Sequence, residues 1–180
     1  MSENSNLTAA LDQDTARASL VNAANALATA RADMDNAAAA LKEGVLSART
    51  EGKLTVPRIA EAAGRQRNFV DALWSGDGRT VRGKQTRVRT DDVNPLEEAA
   101  AFRHLNRLAD AFSNASAGVS LARASRNRLV TMVYASGILG PSVIAETVGM
   151  NRNTVLRIAR AAGVAPVYRV NNRNQHTVQK

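Results

Sequence analysis

Two short stretches of this chain place arginine beside carboxamide side chains: Gln66-Arg67-Asn68, with Asp71 four residues after Arg67, and Asn151-Arg152-Asn153-Thr154, followed by Arg157 and Arg160. A guanidinium can donate two hydrogen bonds to guanine O6 and N7, and an Asn or Gln amide can pair with adenine N6 and N7, so this is the chemistry of base edges in a major groove. Asp71 is the discordant member, because it repels phosphate unless it accepts from cytosine or pairs with an arginine. The chain offers little other chemistry. It has no cysteine, so disulfides and thiolate metal sites are excluded, and its only histidines are His104 and His176. His104, mid-helix and far from His176 in sequence, reads as a packed or surface side chain rather than a metal ligand. No Ser/His/Asp grouping and no phosphate-cradling glycine loop are present, and the acids are dispersed. An enzyme is not expected, and no catalytic residue, metal or cofactor is assigned.

The two arginine stretches belong to a longer repeat. Ile59-Ala-Glu-Ala-Ala-Gly-Arg-Gln-Arg-Asn-Phe-Val70 returns 85 residues later as Ile144-Ala-Glu-Thr-Val-Gly-Met-Asn-Arg-Asn-Thr-Val155, with seven of twelve positions identical. Gly52/Gly137, Val45/Val130, Ala39/Ala124 and Ala37/Ala122 extend the match upstream. Both copies fit a short helix, a tight turn and a second helix. Gly64 and Gly149 stand where the chain leaves the first helix, a place that calls for positive φ and therefore for a residue without Cβ. Ala60 and Ala145 supply small side chains where the two helices cross. The apolar residues Ile59, Ala63, Val70 and Leu73, and Ile144, Val148, Val155 and Ile158, fall on one buried seam.

Charge follows the repeat. Residues 53–90 carry nine basic and three acidic side chains, and residues 119–180 carry nine and one; residues 1–52 (four and seven) and 91–118 (two and five) are each acidic by three charges, so the net +8 is concentrated in the two motif regions. That alternation attracts a polyanion to the motifs and repels it between them.

The rest of the chain must position these stretches. Leu7 to about Thr50 reads as helix, with Leu20, Ala24, Leu27, Arg31, Met34, Ala38, Leu41 and Val45 at heptad spacing and a break near Ala32-Asp33. This seam either packs against the motif helices or the equivalent helix of the second half, or pairs two chains. Thr55 can N-cap a helix beginning at Val56-Pro57, and the second helix runs from about Gln66 to Trp74. Trp74 reads as core, with a base-stacking platform as the alternative. Arg79, Arg82, Lys84, Arg87 and Arg89 then follow with no acid among them, and the tail repeats the arrangement with Arg169 and Arg173. These segments read as a small wing or a basic arm along phosphates or in the minor groove, or as a linker. Asp91 to Pro95 marks a boundary. Beyond it, a helix from Leu96 to about Phe112, a break at Asn114–Gly118, a second helix to Ala135 and a turn through Gly140-Pro141 lead into the second motif, where Asn151 is a good N-cap. The expected fold is all-α, with two modules: residues 1–90, holding a motif at about 55–75 and the basic segment 79–89, and residues 91–180, holding a motif at about 141–162 and the basic tail.

Residues 142–163, and less closely 57–74, resemble the helix-turn-helix of bacterial and phage regulators and of the DNA-binding ends of serine recombinases. The resemblance covers about 40 of the 180 residues. It implies DNA contact by Arg152, Asn153 and Arg157, and by Arg67 and Asn68; no recombinase catalytic domain precedes the motif, so that activity does not carry over. Arg65 departs from the apolar residue usual after the turn glycine. The expectation is a protein of phage, plasmid or bacterial origin that binds double-stranded DNA sequence-specifically as a transcriptional repressor or regulator. Because the two reading surfaces differ, one chain should recognise an asymmetric, two-part site. The alternative is a DNA-binding adaptor for segregation or packaging that recruits a protein partner, or a second copy, through its N-terminal helix. A polar, acidic start and the absence of any apolar run of roughly 20 residues lead to the expectation of a cytoplasmic protein with no membrane partner.

Overall fold

A computed structural model describes residues 12–51, 53–76 and 94–165. Among them are six helices and no strand, as an all-α fold requires: α1 (Gln13–Glu51), α2 (Val56–Ala62), α3 (Arg67–Gly76), α4 (Pro95–Ser136), α5 (Pro141–Thr147) and α6 (Arg152–Ala161). The repeat governs the helix bounds. α2 and α5, α3 and α6, and the ends of α1 and α4 are each displaced by the 85 residues that separate Ile59 from Ile144.

The two long helices are continuous, and both expected breaks are absent. α1 passes through Ala32-Asp33, and α4 passes through Asn114–Gly118 for 42 residues. An interior glycine costs a helix only about 1 kcal/mol relative to alanine, and no proline stands in either stretch. Ser120 satisfies its hydroxyl without leaving the helix, donating to the Ser116 carbonyl at 3.2 Å. The next residue after Gly118, Val119, is buried. The start of each long helix is written locally. The Asp12 carboxylate accepts from Thr15 N–H at 2.6 Å, which keeps its pKa below the usual value. Asn94 Oδ1 accepts from Leu96 N–H at 3.0 Å, with Pro95 in the first helical position, where its missing N–H leaves nothing unpaired.

Packing crosses the sequence halves 1–90 and 91–180. One compact unit comprises residues 28–120, and the other joins residues up to 27 with those from 121 onward. In the first of these, Ile59, Ala60, Ala63 and Val70 of the α2–α3 pair are buried with Leu41 and Val45 of α1, and Leu105 comes from α4. In the second, Ile144, Ala145, Val148 and Val155 of the α5–α6 pair are buried with Val130 and Val133 of α4, and Ala16 and Leu20 come from α1. The borrowed residues obey the repeat as well: Leu20 and Leu105 are equivalent, as are Val45 and Val130. The heptad seam of α1 therefore ends in intramolecular cores, Leu20 in one unit and Leu41 and Val45 in the other, while Arg31 is exposed. Within the unit of residues 28–120, α1 and α4 approach closely at Gly44. A Cβ there would stand 2.5 Å from Leu108 Cδ1 and 3.2 Å from Leu105 Cδ2.

Two glycines with open space around them should respond oppositely to alanine. Gly149 has φ +64° and Gly118 lies in the helical interior of α4, and nothing approaches within 4 Å of a Cβ at either. Gly149→Ala should lower stability by about 1 kcal/mol through its left-handed backbone, whereas Gly118→Ala should raise it by about as much by improving helix propensity. Thermal unfolding of the two variants measures both signs.

Candidate nucleic-acid interface

Each helix pair turns through the same backbone bonds. Gly64 (φ +59°) donates to the Glu61 carbonyl at 3.0 Å and Arg65 N–H to Ala60 at 2.9 Å; Gly149 donates to Glu146 at 3.3 Å and Met150 N–H to Ala145 at 2.8 Å. Two carbonyls at each first helix's end are thereby satisfied, with the glycine supplying the left-handed residue such an ending needs. Ala60 and Ala145 are buried at the crossings, as their small size leads one to expect. Thr55 differs from expectation. It occupies the N-cap position of α2 with extended backbone, but its side chain makes no capping hydrogen bond. A cap accepts from the second or third helical N–H, and the second residue of α2 is Pro57, which has none. Gly140, the equivalent cap of α5, has no side chain to offer.

α6 begins with a working cap: Asn153 N–H donates to Asn151 Oδ1 at 2.8 Å. Val155 and Ala159 are buried beneath the helix and Leu156 and Ile158 partly so, which leaves Asn151, Arg152, Asn153, Arg157 and Arg160 exposed and Thr154 half-buried. Among the described residues no acidic side chain pairs with Arg152, Arg157 or Arg160. Arg160 lies in the last turn, where a cation favours the helix dipole, but Arg152 stands at the first helical position, where a cation opposes it. Arg67 has the same unfavourable place in α3. Neither arginine is there for the sake of its helix.

The surface of α3 is arranged differently. Gln66, Arg67 and Asn68 are exposed, as expected. The Arg67 Nε lies 3.8 Å from Asp71 Oδ2, and Asp71 Oδ1 accepts from Arg49 Nη1 at 3.0 Å. The discordant acid thus has arginine partners. The Arg49 guanidinium in turn lies over Trp74, 4.4 Å from the ring centroid, and Trp74 is half-buried rather than enclosed. Arg65, in the place of the apolar Met150, spans Phe69 and Phe112 at 5.5 and 5.2 Å. Arg58 lies over Phe102 at 4.4 Å and pairs with Glu61 at 2.8 Å and Glu98 at 3.6 Å. Every Phe and Trp of the chain is therefore in this unit, and each one lies beneath an arginine. Such contacts contribute about 0.5–1 kcal/mol each at exposed sites. They also remove Arg49, Arg58 and Arg65 from the supply of unpaired charge. The pairs Arg58/Glu61 and Arg67/Asp71 are legible as helical spacings, whereas Arg49 with Asp71 joins α1 to α3 and has no signal in the sequence.

Arg79, Arg82, Lys84, Arg87, Arg89, Arg169 and Arg173 lie outside the described residues, as do the wing, arm or linker they were expected to form. His104 is exposed on α4, beside a shallow groove lined by Glu51, Lys53 and Glu97. There Lys53 pairs with Glu51 at 2.8 Å and holds its carboxyl below the usual range, aided by the Ser47 hydroxyl at 2.6 Å. No cluster of three metal-ligating side chains occurs among the described residues, and no described helix is long and apolar enough to cross a membrane.

The cap of α6 gives a local test. Asn151→Ala should lower stability by about 1 kcal/mol by orphaning the Asn153 N–H. Gln66→Ala, at the equivalent position but with no side-chain hydrogen bond, should leave the unfolding midpoint unchanged. In comparisons with known proteins, no family model, curated protein or solved structure matches the chain.

Proposed function

We propose that the chain binds double-stranded DNA sequence-specifically through two helix-turn-helix units, α2–α3 and α5–α6, and acts as a transcriptional repressor or regulator. The observation that carries this reading is the exposed face of α6. It combines a capped helix start, Arg152 and Asn153 on its first turn, and Arg157 and Arg160 beyond, with no acid paired to any of them. A helix entering the major groove presents its N-terminal residues to base edges, so Arg152 donates to guanine O6 and N7 and Asn153 pairs with adenine. Arg157 and Arg160, further along the exposed face, take phosphates and fix the register. α3 carries the same Arg-Asn pair at its start, so the same geometry applies to Arg67 and Asn68. Its surface adds Asp71 where α6 has Leu156, and the two helices accordingly read different half-sites, so the complete site is asymmetric.

Binding by this route is dominated by counterion release. With roughly six to ten phosphates neutralised, affinity should fall by about 10³ or more between 50 and 200 mM salt. Titration of a labelled genomic duplex across that range measures the slope, and a flat response overturns the proposal. Arg152→Ala should cost about 1–3 kcal/mol on the preferred site and much less on random duplex. Equal losses on both would remove Arg152 from base reading. Mapping of bound sites on genomic DNA then tests the regulatory role, for which they should overlap promoters; an array of repeated sites instead indicates segregation.

A further inference from the structure

An acid on the exposed face of a helix offered to a polyanion weakens the encounter, so the presence of Asp71 calls for a compensating role. Its surroundings supply one. The Oδ1 oxygen is fixed by Arg49 Nη1 at 3.0 Å, and the Arg49 side chain, only 11% exposed, is pressed against Trp74 at 4.4 Å. Asp71 is thus anchored from α1 rather than free to follow solvent. Its second oxygen faces Arg67 Nε at 3.8 Å, and the Arg67 side chain is 64% exposed. A guanidinium has two usable edges, one that includes Nε and one formed by its two terminal nitrogens. Asp71 engages the first. The terminal nitrogens of Arg67 make no hydrogen bond with any described residue, and a pair of parallel N–H groups on one edge is what guanine O6 and N7 accept.

Resting on the DNA-binding reading above, we propose that Asp71 is a positioning residue that holds Arg67 with its terminal edge outward to guanine, so that α3 discriminates bases more sharply and adheres to phosphate less than α6. The chain Trp74, Arg49, Asp71, Arg67 carries the rigidity of α1 to the reading side chain. At the equivalent positions the other unit has Ala159, Tyr134, Leu156 and Arg152, a set with no acid. Arg152 can therefore swing between a base and a neighbouring phosphate, whereas Arg67 must abandon its carboxylate to do so. The two helices divide the work: α6 supplies adhesion and α3 supplies selectivity at one guanine.

Selection from a library of randomised duplexes, using the full chain, tests this directly. The wild type should enrich two blocks of base preference, one erased by Arg152→Ala and the other weakened at a guanine by Arg67→Ala. Asp71→Asn should leave the Arg152 block intact, lower the preference for that guanine by about tenfold, and tighten binding to random duplex several-fold by removing a negative charge. An unfolding transition with the wild-type amplitude shows that the variant is folded. Arg67→Lys, which leaves the Arg49–Asp71 bond in place, keeps the charge and a donor for guanine but not the planar fork, and should weaken the guanine preference with random-duplex affinity held. The proposal is overturned if Asp71→Asn leaves both blocks unchanged, or if the preference it loses is for cytosine, which would mean that the acid itself reads the base. A wild type that enriches no sequence overturns the DNA-binding reading itself.

Discussion

A seven-residue helix turned against a ten-residue helix cannot enclose its own apolar face, and the structure depends on how that deficit is met. Ile59 and Val70, and Ile144 and Val155, are fully buried only because the long helices cover them. Burying a side chain of this size contributes about 1.5–3 kcal/mol, and a chain with 3% aromatic residues has few larger groups to use. Each pair draws on two long-helix segments, the one that precedes it in sequence and one from the other half of the repeat. Leu105 closes the core around Ile59, and Leu20 closes the core around Ile144. Neither half of the sequence holds a complete core. α1 and α4, of 39 and 42 residues, each contribute to both cores.

The repeat has kept its core and changed what surrounds it. Gly44 meets Leu108 in one unit, and at the equivalent positions of the other the sequence has Leu129 and Ala23, so large and small are exchanged between the two helices. Volume-conserving exchanges are the kind that cores tolerate. The polar surroundings have diverged further. Where one unit joins its helices through Arg49, Asp71 and Trp74, the other has Tyr134, Leu156 and Ala159, of which Tyr134 and Ala159 are buried and Leu156 packs on the core. A charged, stacked link and an apolar one hold the same two helices together. Only the first leaves a carboxylate on the exposed face.

Local features were legible in the sequence and relational ones were not. Gly64 and Gly149 announce their turns because only glycine reaches positive φ without strain, and the seam residues Ile59, Val70, Ile144 and Val155 announce their burial by spacing. Asn151 is recognisable as a cap from its place alone. The breaks expected in α1 and α4 came from reading short polar runs as punctuation, when without proline such runs lower helix propensity but do not end a helix that tertiary contacts hold. Thr55 holds the cap position of α2 but makes no capping hydrogen bond. The exchange of Leu20 and Leu105 between halves has no local signature, since heptad spacing says that a face is buried and not what buries it. For the same reason the charge count of residues 53–90 includes Arg58 and Arg65, although Phe102 and Phe112 lie beneath them.

Formal charge therefore misstates the difference between the two exposed faces. By residue count both motif regions are strongly basic, yet on the described surface of α3 the one reading arginine shares its charge with Asp71, while α6 shows three unpaired cations. Of these arginines, Arg160 in the last turn of α6 favours the helix dipole, and Arg152 at the helix N-terminus opposes it. Selection for stability alone would place a carboxylate near that helix start. A carboxylate stands instead beside Arg67, while among the described residues none pairs with Arg152, Arg157 or Arg160. Helix stability therefore explains the placement of neither Arg67 nor Arg152.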